Sequence, residues 1–234
     1  MDEPRRQAIE RLESAVAELG DLADSLTLVG GCLTPLLITD PAAPPPRPTI
    51  DVDLVVEVTT TAAYDRLSLA MRQRGFQPGA DPDDPICRFR KGAIIIDLMP
   101  TSPLVLGFGN RWYPLAAATA TRIVLPGGHR LRHASAPCFL ATKIVAFRDR
   151  GGGDYLASPD FEDIVSVVDG RPELLAELTA SPSELRAWVR AELADMAGGR
   201  GFTDSLYGMV PGHGDVRGRA EILRARFSQL VDFR

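Results

Sequence analysis

The chain is poor in the side chains on which several classes of function depend. It has three cysteines, Cys32, Cys87 and Cys138, in 234 residues. Their spacing makes neither a disulfide framework nor a zinc pattern, so buried thiols are expected. It has three histidines, His129, His133 and His213. None falls in a His-Glu-x-x-His arrangement, and no catalytic histidine is expected. No run of about 18 apolar residues occurs, so no membrane-spanning helix is expected. The opening Met-Asp-Glu-Pro-Arg-Arg leads into a polar helix pattern and not a signal peptide, which makes cytoplasm the expected location. An excess of basic charge is also missing. With 26 Lys and Arg against 31 Asp and Glu, the net charge is −5, which argues against a dedicated nucleic-acid binder on charge alone. Length and composition are those of a globular chain, with one large domain or a core carrying a helical appendage.

What is present is a pair of short apolar runs joined by a proline-rich loop. Thr27-Leu-Val-Gly30-Gly31 ends in two glycines. Thr49-Ile-Asp51-Val-Asp53-Leu-Val-Val-Glu-Val58 carries two acids and then turns apolar. Strand side chains alternate faces, so Asp51 and Asp53 point the same way. Two carboxylates side by side repel unless water bathes them or a cation sits between them. A hard divalent ion such as Mg²⁺ suits oxygen ligands of this kind and a phosphate substrate. Glycines between a strand and a helix let backbone N–H groups approach a phosphate. Each motif alone is more often a solvated strand end or a turn; their order is what singles them out. A third acid follows in Ala93-Ile-Ile-Ile-Asp97-Leu-Met, a strongly apolar strand pattern in which a lone carboxylate is costly. If that strand lies beside the first, Asp97 completes a three-carboxylate metal site.

Gly30-Gly31, Asp51-x-Asp53 and a distal Asp97 resemble the polymerase-beta-type nucleotidyltransferases. Asn110-Arg-Trp-Tyr-Pro, Phe139-Leu-Ala-Thr-Lys143-Ile-Val-Ala-Phe-Arg148 and Asp154-Tyr-Leu-Ala-Ser-Pro-Asp-Phe-Glu-Asp163-Ile resemble more narrowly the AbiEii/AbiGii toxin family. The resemblance covers about residues 25 to 172. Where such proteins commonly have a hydroxyl after the glycines, this chain has Cys32, which leaves phosphate binding to the backbone.

The resemblance implies an α+β fold: a polymerase-beta-like core, a mixed sheet with helices on one side, plus a C-terminal helical region. The expected division is 1–134 for the core with its N-terminal helix and 135–234 for a helical domain completing the active-site cleft. It implies transfer of a nucleoside monophosphate from a nucleoside triphosphate to an acceptor hydroxyl. Asp51, Asp53 and Asp97 would hold one or two Mg²⁺. Gly30, Gly31 and Lys143 would bind the nucleotide, and Asp163 would orient the acceptor or Lys143. The implied acceptor is RNA, typically a tRNA 3′ end, and the implied partner a cognate antitoxin. A small antibiotic as acceptor is the alternative, and a non-catalytic nucleotide-binding protein of the same fold a further one. For Lys143 and Asp163 a structural ion pair is the competing reading.

Along the chain, helices are expected at 4–19, 32–38, 60–74, 113–118, 137–148, 159–170, 172–178, 181–196 and 219–231. Ser181-Pro-Ser-Glu184 reads as a capping box, and 202–218 as a glycine-rich loop. Hairpins are expected around Lys91-Gly92 and Pro126-Gly-Gly128. Arg88 and Arg90 share a face, equally suited to a solvated edge or a phosphate. From Arg111 to Arg150, seven Lys and Arg face one acid, a local +6, and from Arg217 to Arg234 five arginines face two acids, a local +3. Such segregation suits a triphosphate, an RNA backbone or an acidic partner.

Overall fold

The computed structural model describes residues 3–150, 153–210 and 216–232. Residues 211–215, with His213, lie outside them. Among the described residues the chain is α+β, with a mixed seven-stranded sheet and eleven α-helices. In order, the first half runs α1 (Glu3–Leu19), β1 (Leu26–Val29), α2 (Thr34–Leu37), β2 (Asp51–Val56) and α3 (Thr61–Gln73). Then come β3 (Gln77–Pro78), β4 (Arg88–Lys91), β5 (Ile94–Pro100), α4 (Pro103–Leu106), α5 (Tyr113–Ala118), β6 (Thr121–Val124) and β7 (Arg130–His133). The second half is helical: α6 (Ala136–Arg150), α7 (Pro159–Gly170), α8 (Leu174–Ala180), α9 (Ser183–Gly198), α10 (Phe202–Met209) and α11 (Val216–Asp232).

The chain forms two compact units, Met1–Leu33 with Pro48–Ser135, and Thr34–Arg47 with Ala136–Arg234. The expected boundary at 134/135 thus falls one residue from the observed break. Residues 34–47, however, group with the helical unit and not with the sheet. The reason is local. The amides of Thr39 and Asp40 both donate to the Gly170 carbonyl at 2.9 Å, and Arg171 donates to the Leu37 carbonyl at 2.7 Å. A Cβ on Gly170 would lie 2.8 Å from Ile38 Cγ2, so a glycine is what lets this loop close on the end of α7.

In the first unit the sheet order is β3-β4-β5-β2-β1-β7-β6. The β2–β5 and β1–β7 pairs are parallel, and the others antiparallel. The central strands are largely buried, all four residues of β1 and Leu54, Val55 and Val56 of β2 among them. Helix α1 buries Ile9, Leu12, Val16 and Leu19, and α3 buries Tyr64, Leu67 and Met71. Thr60 caps α3 by accepting from the Ala63 amide at 3.2 Å, which satisfies one of the orphan donors of a helix start. The first expected hairpin forms one residue later than its sequence suggests. Lys91 pairs with Ile94 around Gly92, whose φ is +56°. That shift sets Arg88 opposite Asp97.

In the second unit Ser158 caps α7 by accepting from the Phe161 amide at 3.3 Å, with Pro159 in the first turn. The expected capping box at Ser181 does not form. The Ser181 hydroxyl instead donates to the Glu177 carbonyl at 2.8 Å, closing α8, and α9 begins at Ser183 without a side-chain cap. The expected loop after Gly201 is partly helix. Phe202 and Leu206, one turn apart, are buried in α10, and that apolar spacing outweighs Gly208. Phe202 stacks edge-on against Phe227 at 5.2 Å, tying α10 to α11.

Candidate active site

The first unit gathers the three predicted acids on one sheet face. Asp53 of β2 lies directly opposite Asp97 of β5 in the parallel ladder, so their side chains emerge on the same side. Asp51 is two residues earlier on β2 and shares that side. Arg88 of β4, opposite Asp97, joins them. Its Nε donates to Asp97 Oδ1 at 2.8 Å and its Nη2 to Asp97 Oδ2 at 2.7 Å. Nη2 also reaches Asp51 Oδ2 at 3.0 Å. Asp51 Oδ1 accepts from the Thr49 hydroxyl at 2.9 Å. The hydrogen bonds to Asp97 raise the Arg88 guanidinium further above its ordinary range; burial opposes this, and the charges of Asp97, Asp51 and Asp84 add to it.

Gly30 stands beside Asp53 and has φ +66°. A Cβ there would lie 1.8 Å from Asp53 Oδ2 and 2.6 Å from Asp53 Cβ. No side chain other than hydrogen fits, on conformation or on space. The chain then enters a tight 3-10 turn at Gly31–Leu33, closed by the Leu33 amide on the Gly30 carbonyl at 3.1 Å. Cys32, in the middle of that turn, is fully buried. Burial, and then the charge of Asp53, push its thiol up to about 12, so it stays neutral. Cys87 and Cys138 are buried too, as expected of inert thiols.

Among the described residues no three Asp, Glu, His or Cys side chains stand gathered as a ready ligand cage. Asp51 and Asp97 are turned onto Arg88. Their chemistry nevertheless fits a hard divalent ion: carboxylate oxygens on one face, at a place that already holds one cationic group.

The second unit holds the other two predicted residues. Lys143 of α6 and Asp163 of α7 are both buried, and Lys143 Nζ lies 2.6 Å from Asp163 Oδ2. Sequence reasoning missed three further members. Lys143 also donates to Asp160 Oδ1 at 3.0 Å. Arg150 binds Asp160 through Nε at 2.8 Å and Nη2 at 3.0 Å. Arg47, from the proline loop, donates to Asp163 Oδ2 at 3.0 Å. Asp160 was legible, being three residues before Asp163 on one helix face; Arg47 carried no local signal. Burial pushes the Asp160 carboxyl up, but hydrogen bonds from Arg150 and the charge of Lys143 outweigh it, and the group ends below its ordinary value.

The basic segments are less open than their counts suggest. Of the seven cations from Arg111 to Arg150, at least four lie within ion-pair range of acids: Arg132 with Glu57, Lys143 with Asp160 and Asp163, Arg148 with Glu192 and Asp195, and Arg150 with Asp160. On α11, Arg219 donates to Asp169 at 2.8 Å, and Arg226 lies 3.8 Å from Asp40.

A scan against protein-family models and a search of curated proteins both returned no match for this chain.

Proposed function

We propose that the chain is a Mg²⁺-dependent nucleotidyltransferase with a polymerase-beta-like core, moving a nucleoside monophosphate from a triphosphate to a hydroxyl on RNA. The supporting observation is the shared face of Asp51, Asp53 and Asp97, with Asp53 opposite Asp97 in the ladder and packed on the left-handed Gly30. Three carboxylates brought together from two strands, beside a glycine that tolerates no side chain, are difficult to explain as solvated strand ends. The RNA acceptor and a toxin role with a cognate antitoxin rest on the family resemblance.

In this reading Asp51 and Asp53 offer oxygen ligands, and Asp97 offers a third. Asp97 also accepts the proton of the acceptor hydroxyl as its oxygen bonds to the α-phosphorus and pyrophosphate leaves. A divalent ion bound there supplies charge that stabilises the attacking and leaving oxygens. Little covalent work falls to the protein; positioning and charge dominate phosphoryl chemistry. The resemblance gives Gly30 and Gly31 to the triphosphate; of the two, Gly30 is the half-exposed one and Gly31 is buried in the turn. The resemblance gives Lys143 a phosphate-binding role and Asp163 an orienting one. Within their own unit the two are already paired, so their substitution reads stability before it reads catalysis.

The test is incubation with each α-labelled nucleoside triphosphate, Mg²⁺ and total RNA, beside Asp53→Ala. Label should enter RNA with the wild type and fall by at least about a hundredfold in the variant, the scale for loss of a group acting on transition-state charge. Equal labelling by both proteins contradicts the assignment. A parallel arm with cationic antibiotics reads the alternative acceptor, and Asp53-dependent growth arrest on expression reads the toxin role.

A further inference from the structure

From its place on β4, the single side chain of Arg88 reaches both Asp51 and Asp97. All four oxygens of these two acids already have a donor: Thr49 and Arg88 on Asp51, and Arg88 twice on Asp97. Without a divalent ion, acids this close repel, and the guanidinium removes that repulsion. With a divalent ion the same guanidinium becomes the problem, since two cations on one pair of carboxylates repel each other. Arg88 also has another acid at hand. Its Nη1 lies 3.4 Å from Asp84 Oδ1. Asp84 is largely covered at its side chain and already held by Arg90 at 2.6 Å. A displaced Arg88 therefore keeps a carboxylate partner without leaving its strand.

We infer that Arg88 is a tethered competitor for the divalent cation, holding Asp51 and Asp97 in the cation-free chain and yielding Asp51, its single-bonded partner, when the ion enters. The inference rests on the metal-dependent reading above and adds to it a residue that sets how tightly the ion binds. It makes two opposed predictions for one substitution. Arg88→Met should unfold more easily in EDTA, because Asp51 and Asp97 are left without their cation. The same variant should bind Mn²⁺ more tightly, by about tenfold, the worth of one charge-assisted hydrogen bond no longer to be broken. A purely structural salt bridge gives the first effect without the second.

Mn²⁺ binding to the full chain is measured by electron paramagnetic resonance or calorimetry, with no nucleotide present, for wild type, Arg88→Met, Arg88→Lys and Asp53→Asn. Lysine lacks the planar fork that spans two acids, so Arg88→Lys should also bind Mn²⁺ more tightly, and it serves if the methionine variant does not fold. Unchanged or weaker affinity in both Arg88 variants, with binding still dependent on Asp53, overturns the role of Arg88 and leaves the metal site standing. No Asp53-dependent Mn²⁺ binding in any of these proteins overturns both.

Discussion

Replacing Lys143 with methionine tests the buried ion network of the helical unit in numbers. The ammonium makes two short contacts, 3.0 Å to Asp160 and 2.6 Å to Asp163. The three side chains are 7%, 2% and 1% exposed, so solvent screens them little. A hydrogen bond to a charged group is worth about 1.5–3 kcal/mol, and methionine replaces most of the apolar stem. Asp160 keeps both bonds from Arg150. Asp163 keeps one from Arg47, and its Oδ1 is buried with no hydrogen-bond partner among the described residues. The loss at Asp163 is therefore the heavier one. Together these place the cost at about 3 kcal/mol, the lower end for removing one partner of a buried pair. In urea that is a fall in midpoint of about 1–2 M. Trp112 lies in the sheet unit and Trp188 in the helical unit, so a Trp112→Phe background makes fluorescence report the helical unit. Arg47→Met, which removes one bond from a side chain 25% exposed, should cost less. A Lys143→Met midpoint within about 0.3 M of wild type, or a larger loss for Arg47→Met, refutes the reasoning.

Two further outcomes follow. Gly30→Ala should cost about 1–3 kcal/mol from its left-handed conformation alone and more from the clash with Asp53, so both the unfolding midpoint and Mn²⁺ binding should drop; wild-type values in the alanine variant contradict the packing described. Asp160 titrates below its ordinary 3.8 in the folded chain, so the stability it contributes is complete above about pH 4 and is lost as pH falls through the lower folded value. Acid unfolding of Asp160→Asn should therefore be flatter below pH 4 than that of the wild type, and superimposable acid transitions of the two proteins contradict it.

Much of this architecture was legible where the signal is local. Periodicity located α1 and α3 through Ile9, Leu12, Tyr64 and Leu67. Ser158-Pro159 marked the start of α7. The alternation of Asp51 and Asp53 gave their shared face. What was not legible needed longer-range information. Arg88 was open between solvent and phosphate because its partner depends on hairpin register; once the turn is placed at Gly92-Ala93, Lys91 pairs with Ile94 and Arg88 must face Asp97. Residues 34–47 follow the chain of the sheet unit but close on Gly170, more than a hundred residues on, and no local pattern announces that. Arg47, inside the same proline-rich stretch, reaches Asp163 by that route. Lys143 stood open between a nucleotide contact and a structural ion pair. Its burial depends on Asp160 and Asp163 of α7, which are themselves held by Arg150 of α6 and Arg47 of the proline loop, and these come together only in the folded unit.

The most direct measurement compares α-labelled with γ-labelled triphosphate in one reaction with total RNA and Mg²⁺. Transfer of a nucleoside monophosphate predicts that the α label joins the RNA while the γ label is released in pyrophosphate, and that both signals vanish in Asp53→Ala. Appearance of the γ label on the acceptor, or release of pyrophosphate that does not depend on Asp53, contradicts the central claim.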